Sequence, residues 1–211
     1  MHLASSKPAQ TLLEAVLAIG VILVATISAT TLIVTTISAG QSSEDKIVAA
    51  NLAREGVEIV RGIRDSNWIK RAQNVVDGTG AGATTTRWDD TSLPPPSHDG
   101  YVSLGNATGK CYFAVYDINY GWFLTEGSAM PCTTFPSEAR INQVTDAGQT
   151  YLTSQSCPSV CSPTKFSRMI SIQLVSTDTN AGDYLDVRST VIWNNHGDKT
   201  YVATERLYDW R

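Results

Sequence analysis

Two sets of residues have types and spacings that could do chemistry. The first is a single carboxylate, Glu14, at the mouth of the apolar run Leu12 to Val34, which carries no other charge. A charge in so apolar a segment costs roughly 2.5–3.5 kcal/mol on membrane-insertion scales, so such charges usually mark function. The second set is Cys111, Cys132, Cys157 and Cys161, all in the second half of the chain. In an extracellular setting an even count suggests disulfides, and four cysteines allow three pairings. Cys157 and Cys161 are separated only by Pro-Ser-Val, a loop short enough to close, which leaves Cys111 for Cys132. Zinc is disfavoured, because structural sites use closer Cys pairs than this C-x-x-x-C with two distant partners.

Neither set is a catalytic constellation. His2, His98 and His196 fall at the start of the chain and in turn-like stretches, and no Gly-x-Ser-x-Gly, phosphate loop or paired-histidine motif is present. Asp89–Asp90, and His98 beside Asp99, read as solvated loop groups. The expectation is a non-enzymatic protein without metal or other cofactor. A net charge of −4 argues against general nucleic-acid binding. Arg61, Arg64, Lys70 and Arg71 are diluted by Glu58 and Asp65, so they read as a solvated helix end and no specific nucleic acid is expected.

The apolar run must be a helix. Its 23 residues, at about 1.5 Å each, span roughly 35 Å, enough for a hydrocarbon core of about 30 Å. It is too long, and too acidic at its start, for a cleaved secretory signal. A helical pattern continues beyond it. Val48, Leu52, Gly56, Ile59, Ile63 and Asn67 recur every three or four residues, opposite Asn51, Arg54, Glu58, Arg61 and Asp65. Arg54–Glu58 and Arg61–Asp65 have the i,i+4 spacing of surface ion pairs. A helix over 11–67 would be roughly 85 Å long. One small domain covers only its second half, so the first half must sit in lipid or among other copies.

Residues 71–110 hold too many Gly and Pro for a helix and read as an irregular connection. The triplet Asn106-Ala107-Thr108 matches a glycosylation sequon, a pattern that arises often by chance. Strand-like runs follow in "CYFAVYDI" from Cys111 and in "GWFLTEG". Three longer runs, "FSRMISIQLVST", "DYLDVRSTVIWNN" and "KTYVATERLYDW", are separated by the turn-like "DTNAGD" and "HGD". Val187, Thr190 and Ile192, with Tyr201, Ala203, Glu205 and Leu207, give an imperfect alternation. The expected fold class is α+β: a long N-terminal helix packed on a C-terminal antiparallel sheet. Its segments are 1–9, 10–40 (apolar half-helix), 41–70 (amphipathic half-helix), 71–110 (irregular) and 111–211 (β head).

"PAQTLLEAVLAIG" resembles the N-terminus of type IV pilins and pseudopilins: a short polar leader, a small residue, an acid at the fifth mature position, then about twenty apolar residues. "LAREGVEIVRGIRDSNW" and the ending with "VIW", a glycine turn and "DWR" resemble pilin-like proteins of small-genome bacterial lineages. The resemblance covers both ends and not residues 75–165. It implies a leader of Met1–Ala9, cleavage between Ala9 and Gln10 by prepilin peptidase, and methylation of the Gln10 amine. Ala9 stands where the family prefers glycine, and Gln10 where it often has phenylalanine. Glu14 would pair with the Gln10 amine of a neighbouring copy and set its axial register. The implied partners are membrane lipid before assembly, an assembly platform in the inner membrane, and further copies in a helical filament. The implied topology has the N-terminus in the cytoplasm and the head outside, agreeing with Lys7 on one side of the run. A major pilin, a minor pilin and a secretion pseudopilin are not distinguished. The competing class is an uncleaved signal anchor carrying an extracellular binding domain, which has no use for Glu14.

Overall fold

A computed structural model of the chain describes residues 8–72, 76–77, 84–85, 111–117, 121–127, 132, 135–146, 149–154, 161–175, 183–195 and 197–208. His2, His98, His196, Asp89–Asp90, the sequon at 106–108, Lys70, Arg71 and Cys157 lie outside the residues whose side chains it describes. The first element is one helix, α1, Pro8–Ala72. Proline is tolerated at a first helical position, where its missing N–H has no intrahelical acceptor, and no other proline interrupts the helix. The chain divides into two units, Met1–Asp45 and Lys46–Arg211. Each is described by itself.

In the second unit, α1 follows its sequence pattern. Leu52, Gly56, Ile59, Ile63 and Asn67 are buried, whereas Asn51, Arg54, Glu58 and Asp65 are exposed. Val48, the first residue of the expected stripe, stays outside the core at 36% exposure. The wet-side ion pairs differ from expectation. Arg61 pairs with Glu58 at 2.6 Å and with Glu205, and Arg64 pairs with Asp65 at 2.7 Å. Glu205 lies on the strand facing the helix and draws Arg61 away from Asp65, since a partner across the interface competes with one along it. Arg64 is not a solvated terminal group: it is 4% exposed and donates to the Tyr208 carbonyl at 3.3 Å.

After α1, β1 (Val76–Asp77) pairs with β2 (Thr84–Thr85) within the stretch expected to be irregular. The main sheet has seven antiparallel strands: β3 (Cys111–Asp117), β4 (Gly121–Glu126), β5 (Arg140–Asp146), β6 (Gln149–Thr153), β7 (Cys161–Val175), β8 (Tyr184–Asn194) and β9 (Asp198–Tyr208). β7 is the spine. One edge pairs with β8 over ten positions, and β9 continues from β8 in a meander. The other edge serves both hairpins: β3 meets it at Ile170 and Ser171, and β5 meets it between Cys161 and Ser167. The register along β5 slips between Arg140 and Asn142, where Thr164 donates to the Ile141 carbonyl at 2.6 Å. This irregularity lets β7 keep Pro163, which has no N–H for a ladder. The β8–β9 turn spans residues 195–197, and Gly197 supplies its positive φ of 122°.

The helix-facing core joins Val57, Val60 and Ile63 of α1 to Tyr112, Leu124, Ile170, Ile172, Leu185, Val187 and Leu207. A second cluster joins Ala49, Leu52 and Ala53 to Ile141, Phe166, Val191 and Trp193. Each such aliphatic side chain contributes about 1.5–3 kcal/mol on burial. The inward residues of β9 are those expected: Tyr201, Ala203, Glu205 and Leu207. In β8 the expected choice of Thr190 and Ile192 is corrected. The inward phase is Leu185, Val187, Ser189, Val191 and Trp193, each buried. A serine in the middle of that phase and an isoleucine outside it obscured the alternation. On the opposite face, Cys111, Phe113 and Met169 are covered by Ala139 with Cys132 and Phe135.

Candidate assembly surface on the N-terminal helix

Among the described residues the first unit is helix, exposed at every position over 12–44. Val21, Ile22, Leu23 and Val24 make one full turn and are 61, 61, 56 and 66% exposed. At about 100° per residue, four successive apolar residues cover every side, so this is not an amphipathic helix awaiting one partner face. An 18-residue window here has a mean hydropathy of 2.5 with none of it buried, long and apolar enough to cross a membrane.

Most hydroxyls in this stretch are satisfied within the helix. Thr26, Ser28, Thr30, Thr31, Thr35 and Thr36 each donate their hydroxyl to a backbone carbonyl three or four residues earlier, at 2.8–2.9 Å. Such bonds remove the free donors that make polar groups costly in an apolar medium. The surface therefore presents carbon almost everywhere. Their helical context is what supplies each acceptor.

Glu14 is the exception. It is exposed, and among the described residues no cation is paired with it. Ala9 and Gln10 fall in the first turns of α1, and their side chains are outside the described residues. Gln10 and Glu14 stand four residues apart on one helix, the spacing that puts both on one face. A carboxylate in apolar surroundings is tolerated only with a partner. The sole charge in this surface is therefore a demand for a cation.

The second unit holds the other predicted site residues. Cys111 and Cys132 form a disulfide, closing a separation of 21 residues and tying the segment after β4 to the first residue of β3. Cross-linking a loop of this size typically stabilises by about 2–4 kcal/mol. Cys161 is also disulfide-bonded, and its expected partner Cys157 is outside the described residues.

One group was missed from the sequence. Arg168 is 1% exposed, facing α1. It donates to the Leu52 carbonyl at 3.1 Å and to Glu55 Oε2 at 2.8 Å, while its Nε and Nη2 have no described partner. Burial lowers its pKa, and Glu55 opposes that shift. Its signal was phase: Phe166, Arg168, Ile170 and Ile172 alternate, so an arginine on that side had to face the helix. Gly56 makes room for it and for Ser189. Nearby, burial first and Glu126 second push the Tyr112 hydroxyl up to about 12, and that oxygen also has no hydrogen-bond partner among the described residues. Among the described residues no group of His, Cys, Asp and Glu is gathered to hold a metal.

Comparison of the chain with protein-family models, curated proteins and solved structures finds no match.

Proposed function

We propose that this chain is a structural subunit of a type IV pilin-like surface filament, a pilin or a secretion pseudopilin, assembled through the apolar half of α1. The carrying observation is that half-helix: apolar on every side, exposed over 12–44, and marked by one acid with no partner among the described residues. Lipid covers such a surface before assembly, and other copies cover it afterwards. Neither environment supplies a cation for Glu14 along the chain itself. Cleavage between Ala9 and Gln10 creates one, a terminal ammonium one turn away, within a copy or on its neighbour. In a low-dielectric bundle, that pairing is satisfied only at one axial offset between helices, so it defines the register.

Prepilin peptidase, an inner-membrane assembly platform and lipid are the partners this role needs. The N-terminus faces the cytoplasm and the sheet faces outward, and the role is not enzymatic. Processing is the test. Intact-mass measurement and N-terminal sequencing of protein from the membrane fraction should find a chain beginning at Gln10 with one added methyl group. An intact Met1–Ala9 leader contradicts the filament role and favours an anchored extracellular binding domain. Cleavage beyond Gly40 removes the assembly surface and contradicts both.

A further inference from the structure

The sheet face turned away from α1 carries a groove of about 810 Å³ over β7, β8 and β9. Its floor is two cross-strand rows. Ser171, Arg188 and Thr204 stand opposite one another in the first, and Gln173, Asp186 and Arg206 in the second. One wall includes Cys132, whose disulfide partner Cys111 is in register with Ser171, so the wall is covalently tied to the sheet beside the floor. The volume lies within the range of small-ligand sites. All six floor residues are polar.

The charges are arranged unusually. Asp186 sits directly across from Arg206 and two residues along the same strand face from Arg188, yet among the described residues neither arginine is ion-paired. Arg206 instead stacks its guanidinium 5.3 Å from the centre of the Tyr184 ring. Stacking pre-organises the planar donor fork and leaves its edge free. Two guanidiniums on one groove floor, neither ion-paired among the described residues, call for an oxyanion, and the fork geometry suits a carboxylate. Asp186 between them repels a bare phosphate or sulfate. An ionised Asp accepts hydrogen bonds and donates none, so the occupant must present hydroxyl donors beside its anion. Ser171, Thr204 and Gln173 add donors and acceptors for further hydroxyls. Ile172 and Glu205 complete the described lining, Glu205 being already paired with Arg61, so apart from Ile172 and the disulfide the groove offers an aromatic or lipid ligand no apolar wall.

We infer that this groove binds an acidic saccharide, a uronate-type sugar whose carboxylate is held by Arg188 and Arg206 and whose hydroxyls are read by Asp186 and its neighbours. The site lies wholly within the second unit and does not depend on whether α1 assembles.

The experiment is titration of the full chain in detergent, at low ionic strength, with tetragalacturonate and with neutral maltotetraose. Saturable binding of the acidic probe is expected, with the neutral one at least about tenfold weaker. Arg188→Ala and Arg206→Ala should each weaken the acidic probe about tenfold or more, with unchanged thermal melting because both side chains are exposed. Asp186→Asn keeps an acceptor and removes a like charge, so it should tighten the acidic probe. Absence of saturation by tetragalacturonate overturns the inference. Equal affinity for both probes, or binding that survives both arginine substitutions, overturns it as well.

Discussion

The two halves of α1 share a backbone geometry and differ in everything that decides where a helix can live. In the half after residue 46, apolar side chains recur on one side and are covered: Val60 is fully buried, and Leu52 and Ile63 are nearly so. In the half before it, apolar side chains occupy all sides and Leu12 to Ile37 remain more than half exposed. The first pattern is completed by the chain's own sheet. The second is left uncovered among the described residues. Burial that a sequence demands and a fold does not provide must come from outside, and a helix apolar on every side demands a surrounding, not a single partner.

The sharpest break of this comparison is one charge placed in each half. Val60→Asp puts an unpaired carboxylate into the helix–sheet core and should cost at least about 4 kcal/mol. That is a large share of a typical domain's stability, so cooperative melting of the sheet by circular dichroism should be lost or strongly lowered. Val24→Asp should leave that melt unchanged and instead reduce retention in washed membranes. Equal effects of both on the melt would mean that the first half also packs on the head.

The next comparison uses glycines. A Cβ at Gly56 would meet Ser189 Oγ at 2.4 Å and Arg168 Cδ at 3.2 Å, whereas one at Gly20 meets nothing. Overpacking opposed by better helix propensity leaves Gly56→Ala about 1–2 kcal/mol less stable. Adding Ser189→Ala should restore much of that loss, since the Ser189 hydroxyl has no described partner. Gly20→Ala should leave the head's melting temperature where it was. Denaturant midpoints measure all three.

How much of this was legible differed between the regions for physical reasons. The helix was legible along nearly its whole length, from an unbroken apolar run in its first half and a repeated period in its second, with no proline after Pro8. The strands β3, β4, β8 and β9 were legible from β-branched and aromatic runs. The β5–β6 hairpin was not: "RINQVTD" and "QTYLT" are largely polar, since much of each strand is exposed. Nor was the early start of β7, where Pro163 reads as a break and the fold accommodates it with a register slip. The ion pairs of the helix were misassigned because spacing along a helix says nothing about Glu205 arriving from a distant strand. The Cys111–Cys132 bridge was legible in the sequence; Arg168 was not, because an arginine outvoted the phase of its neighbours.

A smaller effect concerns the alkaline limit of the second unit. Tyr112 is raised to about 12 from an ordinary 10, so the folded state holds its proton more tightly than the unfolded chain does. The stability tied to that proton, about 2–3 kcal/mol, is present in full below pH 10 and is lost as pH rises toward 12. Tyr112→Phe should therefore flatten the fall in melting temperature between pH 10 and 12. At neutral pH it should change stability by no more than about 1 kcal/mol, because the hydroxyl it removes is buried with no partner among the described residues. An unchanged alkaline slope would place the titrating group elsewhere.

The central claim is that the apolar half of α1 is an assembly surface keyed by Glu14, and the most direct measurement is a count of surface filaments for Glu14→Ala beside a membrane-fraction blot. Removing this carboxylate makes the run more apolar, so insertion persists, and no residue from Lys46 onward pairs with it among those described. The account predicts normal expression, normal membrane retention and few or no filaments, with Glu14→Gln behaving alike because it keeps the size and loses the charge. Filaments at wild-type number from Glu14→Ala would contradict it.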